Sequence, residues 1–324
     1  MIRKLTSGLV DAATRFLLNT AQWASPNDVC NPADLEKYLA QGEKITREEF
    51  FAVTPMTELE RKGSLLRWKS PIRSGYEEND TAGARLFLSR EGWSAPTLIF
   101  LHALMSAHDL GYCRIARRLN RSGWNAVLVH LPFHYSRVPK GYANGVLTLT
   151  SNLQRNAETI RQAVKETRQL LALFRQRGCP EFGLIGTSFG GWIGALLSFL
   201  EKDFSFVALL QPVSDVEHAI RESPAGRAIR CRLNEASIPV GITRRHAHLT
   251  SPKDGLPLFD PRRILLVGGS YDEIVPLGVL RNLRDAWPGS RLIEVRQGHF
   301  GYSAMGAALR EFEAFSARPS QPPP

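Results

Sequence analysis

Ser188 stands in Gly186-Thr187-Ser188-Phe189-Gly190, between the apolar run 182–185 and the apolar segment WIGALLSFL. A G-x-S-x-G segment gains meaning in that setting, because a strand-to-helix turn lifts the serine hydroxyl above a sheet as a candidate nucleophile. Gly186 and Gly190 leave room where a Cβ would clash. The helix that follows brings its positive end to the turn, and the Phe189 N–H faces the place where an oxyanion would form. Such a serine is inert without a base to take its proton and an acid to orient the base. Asp272 follows ILLV in GGSYDEIVP, and His299 follows LIEV in RQGHFGY. Each sits at the carboxyl end of its own expected strand, in the chain order Ser188, Asp272, His299. Asp215, in QPVSD after another strand, is the alternative acid, while Glu273 is expected to point away from the site.

The other histidines are given different work. His102 opens the loop after the run TLIFL, and His130 and His134 frame HLPFHYSR after AVLV; all three are read as loop braces. His246 and His248 could share a metal only if further ligands converged on them, and no nearby Cys or acidic pair completes such a site. Cys30, Cys113, Cys179 and Cys231 are far apart and form no CxxC pair, so free thiols in a reducing cytoplasm are expected.

These residues need a sheet to position them. Strands are expected at 65–68, 84–88, 97–101, 126–129, 182–185, 206–210, 264–267 and 292–295. From the third onward they alternate with helices, the pattern of a mostly parallel sheet covered on both faces. The clearest helix starts near Ser151 and stops at Gly178, with Leu153, Ala157, Ile160, Val164, Thr167, Leu171 and Phe174 on one stripe and a solvated Arg- and Gln-rich face opposite. Residues 1–63 read as a helical extension. Ile2, Leu5, Leu9, Phe16 and Leu17 lie roughly on one face before a stop at Pro26, Asn31 caps a second helix, and Thr46 with Glu49 makes a capping box for a third. Residues 64–318 form the main domain, 212–261 a cap-like insertion, and 319–324 a disordered Pro-rich tail.

The chain resembles the α/β-hydrolase superfamily over residues 64–318, through GTSFGG, GGSYDEIVP and QGHF. That resemblance implies an α/β fold and a serine hydrolase, with a carboxylic ester as small-molecule substrate and thioesters and amides next. It aligns HALMS with the His-Gly-x turn of esterases and lipases, so Leu104 would supply the second oxyanion N–H, with Ala103, standing where the family has Gly, as fallback. No cofactor is implied.

Composition narrows the alternatives. With 41 basic and 31 acidic residues among 324, the net charge is +10, but no aromatic-interleaved basic tract suggests nucleic acid. No span and no secretory signal are expected. Two rivals stay open: a non-catalytic binding protein of the same fold, and a lipase or thioesterase held on anionic membranes by the amphipathic start. In 212–261 the apolar residues are diluted by Arg221, Arg227, Arg230, Arg232, Arg244 and Arg245, which predicts short or medium acyl esters. These arginines either attract an anionic substrate group or solvate the outer face of the cap.

Overall fold

The computed structural model describes residues 2–24 and 28–317, so the expected stop at Pro26 and the tail 319–324 lie outside the described residues. Among the described residues nine strands form one sheet: β1 (Glu60–Lys62), β2 (Leu65–Lys69), β3 (Thr81–Phe87), β4 (Thr97–Leu101), β5 (Asn125–His130), β6 (Phe182–Thr187), β7 (Phe204–Leu210), β8 (Ile264–Gly269) and β9 (Arg291–Val295). Their order is β1-β2-β3-β5-β4-β6-β7-β8-β9. β1, β2 and β3 are antiparallel, β3 meets β5 antiparallel, and every pairing from β5 to β9 is parallel. All eight expected strands are present; the ninth, β1, is a three-residue exposed edge inside the stretch read as helical, too short and too charged (Glu-Arg-Lys) to show a strand period.

The inner parallel strands β4, β5 and β8 are buried on both faces, which is why their centres are apolar runs, whereas the edge strand β9 exposes Arg291 and Glu294. Alternate residues serve opposite layers. Ile99, Leu101, Val127 and Leu184 pack with Ile160, Val164 and Phe174 of helix Leu153–Gln176 and with helix Phe189–Ser198. Leu98, Phe100, Leu128 and Ile185 pack on the other side with helices Leu110–Arg121 and Ser303–Ser316. The helices that follow β4 and β6 therefore leave in opposite directions from neighbouring strands. A crevice opens between the carboxyl ends of those strands, where open α/β sheets place ligands.

The helix Leu153–Gln176 corrects one expectation: its polar face is not solvated. Gln162, Glu166 and Gln169 are buried. Glu166 receives Arg137 Nη1 at 2.5 Å and Nη2 at 2.9 Å, and Gln169 accepts from Trp68 Nε1 at 3.0 Å. The segment after the capped helix Arg47–Phe50 lies across this face, where Arg161 and Arg168 donate to the carbonyls of Phe50 and Phe51 and Gln169 to that of Thr54. Arg and Gln were poor markers of solvent here because main-chain carbonyls of a distant segment replace the water.

The first two helices, Ile2–Ala24 and Pro32–Gly42, join the inserted segment rather than the sheet. Helix Ile2–Ala24 packs on Arg227–Glu235, while Leu35 and Leu39 share a small core with Ile220, Ile229 and Leu233. Leu9, Phe16 and Leu17 face outward, 71%, 70% and 62% exposed. The side chains of Ile2 and Leu5 lie outside the described residues. No helix among the described residues is long and apolar enough to cross a membrane.

Candidate active site

Ser188 is the hinge between β6 and helix Phe189–Ser198, with φ 51° and ψ −110°, a left-handed conformation costly for a side-chain-bearing residue. Close packing enforces it. A Cβ on Gly190 would lie 2.2 Å from the Leu101 carbonyl oxygen at the end of β4, and one on Gly186 would lie 2.4 Å from the Gly190 carbonyl oxygen. The Ser188 N–H donates to Leu210 O at 2.8 Å, pinning the turn to β7.

The structure brings the three sequence-selected side chains into one chain of contacts. Ser188 Oγ is 2.9 Å from His299 Nε2, and His299 Nδ1 is 2.8 Å from Asp272 Oδ2. All three are buried. With Nδ1 protonated toward the carboxylate, Nε2 is left to accept the serine proton. Asp272 is held by more than its histidine: Oδ1 accepts the N–H groups of Ile274 and Val275, both at 2.8 Å. Asp215 is occupied elsewhere, accepting from the His218 N–H at 3.1 Å as a helix cap and pairing with Lys253 at 2.7 Å. Glu273 pairs with Arg15 at 2.5 Å.

Phe189 opens its helix, so its N–H belongs to the first turn, which lacks intrahelical acceptors. Ala103 and Leu104 line the cavity that reaches Ser188. The loop that carries them is braced from below. The Leu131 N–H donates to His102 Nε2 at 3.1 Å, which leaves Nδ1 to donate to Ala103 O at 2.9 Å. His134 is held alike, accepting the Met105 N–H at 2.9 Å and donating from Nδ1 to Pro132 O at 2.8 Å. Both rings must stay neutral to accept, and burial provides for that: it drives His102 well below the usual imidazole range and His134 down to about 4. Burial, seconded by Arg137, also brings His130 to about 4, and its Nδ1 lies 2.9 Å from Ser136 Oγ. His246 is buried 3.3 Å from Leu39 O and the exposed His248 lies 3.3 Å from Ile45 O. Among the described residues no group of three or more His, Cys, Asp or Glu is placed to hold a metal.

Two residues escaped the sequence reading. Gln211, in the left-handed region at φ 47° just past β7, donates from Nε2 to Asp272 Oδ2 at 2.5 Å and to Gly298 O at 2.7 Å. It had a signal, since it too stands at the carboxyl end of a buried strand. Asp11 had none beyond being a lone acid in an apolar stretch, yet it touches the backbone of His299.

Above Ser188 opens a cavity of about 490 Å3. Its walls combine Leu35 and Leu39 from the extension, Leu153 and Ile160 from the long helix, and Ile220 and Ile229 from the insertion. Counting apolar residues within 212–261 alone underestimated the lining, because most of the wall comes from elsewhere in the chain. The insertion's arginines do not line it. Arg244 and Arg221 pair with Glu217, Arg245 pairs with Glu36 and Glu43, and Arg230 and Arg232 donate to main-chain carbonyls.

Comparison with solved structures gives the same architecture. The acetyl xylan esterase of Paenibacillus sp. R4 superposes with a TM-score of 0.60 at 14% identity, over 91% of this chain and 98% of that one. Acetyl xylan esterase 1 of Thermoanaerobacterium sp. gives 0.59 at 16% identity, over 90% and 96%. The chain has the α/β-hydrolase fold. Within that fold, the acylaminoacyl peptidase of Pyrococcus horikoshii matches with a TM-score of 0.50 at 16% identity, over 82% of this chain and 42% of the peptidase. No family model matches. By sequence, the chain is similar to an uncharacterized protein of Mycobacterium tuberculosis, from strains H37Rv and CDC 1551, 26% identical over 212 residues. That match spans 64% of this chain and half the length of those relatives.

Proposed function

We propose that this α/β-hydrolase-fold protein is a serine hydrolase that cleaves carboxylic esters with apolar acyl chains of medium length. The observation that carries the reading is the continuous contact from Ser188 Oγ through His299 to Asp272 beneath an apolar cavity. Ser188 Oγ attacks the ester carbonyl as its proton passes to His299 Nε2, and Asp272 stabilises the imidazolium. The N–H groups of Phe189 and Leu104 receive the oxyanion. The proton is then delivered to the departing alcohol, leaving an acyl-serine. Water, deprotonated by His299, releases the acid and restores the serine.

The lining supports the acyl preference. Two structural neighbours are named for a polysaccharide ester, whereas a wall dominated by Leu and Ile rewards a hydrocarbon chain, each buried CH2 contributing about 0.8 kcal/mol. The test is a p-nitrophenyl ester series from acetate to palmitate beside Ser188→Ala, with an organophosphonate probe of Ser188. Expected are labelling at Ser188, a kcat/KM maximum at medium chains, and a loss of at least about 10⁴-fold in turnover for folded Ser188→Ala. Undiminished hydrolysis by that variant sinks the acyl-enzyme route; a maximum at acetate sinks the acyl preference.

A second reading, action at a lipid surface, is favoured by the outward apolar stripe of helix Ile2–Ala24, whose Leu17 also borders the cavity. Co-sedimentation with anionic vesicles tests it: Leu9→Ser with Phe16→Ser should abolish binding while leaving hydrolysis of a soluble ester intact. Absence of vesicle binding by the unaltered protein refutes this reading.

A further inference from the structure

The loop that carries the base is held from an unexpected direction. Asp11, midway along helix Ile2–Ala24, is only 4% exposed and lies against that loop. Its Oδ2 accepts the His299 N–H at 2.7 Å and its Oδ1 the Phe300 N–H at 3.2 Å. Room for the carboxylate exists because residue 298 is glycine: a Cβ there would sit 2.0 Å from Asp11 Oδ2. One turn on, Arg15 Nη1 meets Glu273, the neighbour of the acid, and a turn further Asn19 Nδ2 donates to Pro224 O at 3.1 Å. The helix face formed by residues 11, 15 and 19 thus reaches the base loop, the acid loop and the inserted segment in turn.

We propose that Asp11 is a positioning residue for the base, its carboxylate fixing the backbone of residues 299 and 300 so that the imidazole stays aimed at Ser188. This rests on the Ser188–His299–Asp272 reading above. A carboxylate buried here loses hydration, and burial does push its carboxyl upward, opposed by the two amide donors. A buried acid that pairs with no Lys or Arg among the described residues is a costly way to hold a helix down. It is an effective way to hold two consecutive N–H groups, since charge-assisted hydrogen bonds are roughly twice as strong as neutral ones. Misplacing a catalytic group by about 1 Å from outside the chemistry costs up to about 100-fold in rate.

The test uses the full chain and a soluble medium-chain p-nitrophenyl ester. Asp11→Ala should lower kcat by about 10- to 100-fold with KM within about twofold, and slow phosphonate labelling of Ser188 in parallel. Asp11→Asn, which keeps one acceptor, should fall between the two and serves if Asp11→Ala does not fold. Added formate, a small carboxylate that fits the vacated space, should restore part of the kcat of Asp11→Ala. Asn19→Ala weakens the same helix's attachment without touching the loop and should keep kcat within about twofold. Wild-type kcat in Asp11→Ala overturns the assignment, as does an equal loss in Asn19→Ala, which would mean that helix docking alone matters. Activity that survives in Ser188→Ala sinks the function reading instead, so the two failures are told apart.

Discussion

Replacing Gln211 by methionine keeps side-chain volume and removes three hydrogen bonds from the centre of the site. One is charge-assisted, donated to Asp272 Oδ2 at 2.5 Å, and two are neutral, one donated to Gly298 O at 2.7 Å and one accepted from Gln297 Nε2 at 2.9 Å. A charge-assisted bond contributes about 1.5–3 kcal/mol and a neutral one about 0.5–1.5, so the folded state should lose about 2.5–6 kcal/mol, read from urea unfolding. The kinetic consequence follows from the same contacts. Asp272 Oδ2 accepts from both Gln211 and His299 Nδ1. Without the glutamine, the Asp272 carboxylate and the Gly298 backbone beside His299 both lose a fixed donor, and kcat should drop by about 10- to 100-fold with KM little changed. The assay is kcat and KM on a soluble ester, with folding checked by circular dichroism. An undiminished kcat in the folded variant would show that Gln211 does not position the pair.

Asp272→Asn should cost about 10³-fold or more in turnover while Asp215→Asn stays near wild type, and the reverse ranking in folded proteins would transfer the acid's role to Asp215. Arg137→Met should destabilise by about 3–5 kcal/mol, because Glu166 is left buried without its cation. Burial already pushes the Glu166 carboxyl up and Arg137 opposes it, so in the variant the folded state keeps a proton that the unfolded chain releases. Stability of the variant should then fall as pH rises above the usual glutamate range, and urea midpoints with the same pH dependence as wild type would refute this.

Much of the site was readable in one dimension because the sheet reduces geometry to position. In a parallel sheet every strand presents its carboxyl end to one edge, so a serine, an acid and a histidine that each follow an apolar run must share that edge whatever the distance between them in the chain. That Ser188, Asp272 and His299 would meet was expected on this ground, and the same ground applies to Gln211. The glycines at 186 and 190 were legible for a related reason, since a turn that tight excludes a Cβ from any sequence. The capped helix starts at Asn31 and Thr46 were local as well, each depending on residues two or three positions away.

What the tertiary structure alone decided are contacts between segments with no periodic relation to one another. Helix periodicity marks which face of 153–176 is apolar, but not that carbonyls of Phe50, Phe51 and Thr54 would lie along the opposite face and take up Arg161, Arg168 and Gln169. The residues of the insertion could be counted, but the cavity wall is completed by Leu35 and Leu39, brought there by a helix nearly two hundred residues earlier. Asp11 is the extreme case. A single carboxylate carries no pattern, and its role exists only because the first helix crosses the loop of His299 at the one point where Gly298 leaves space. Local propensity and burial periodicity are encoded within a few turns of chain, whereas which surfaces dock on one another depends on the shape of the whole packed core.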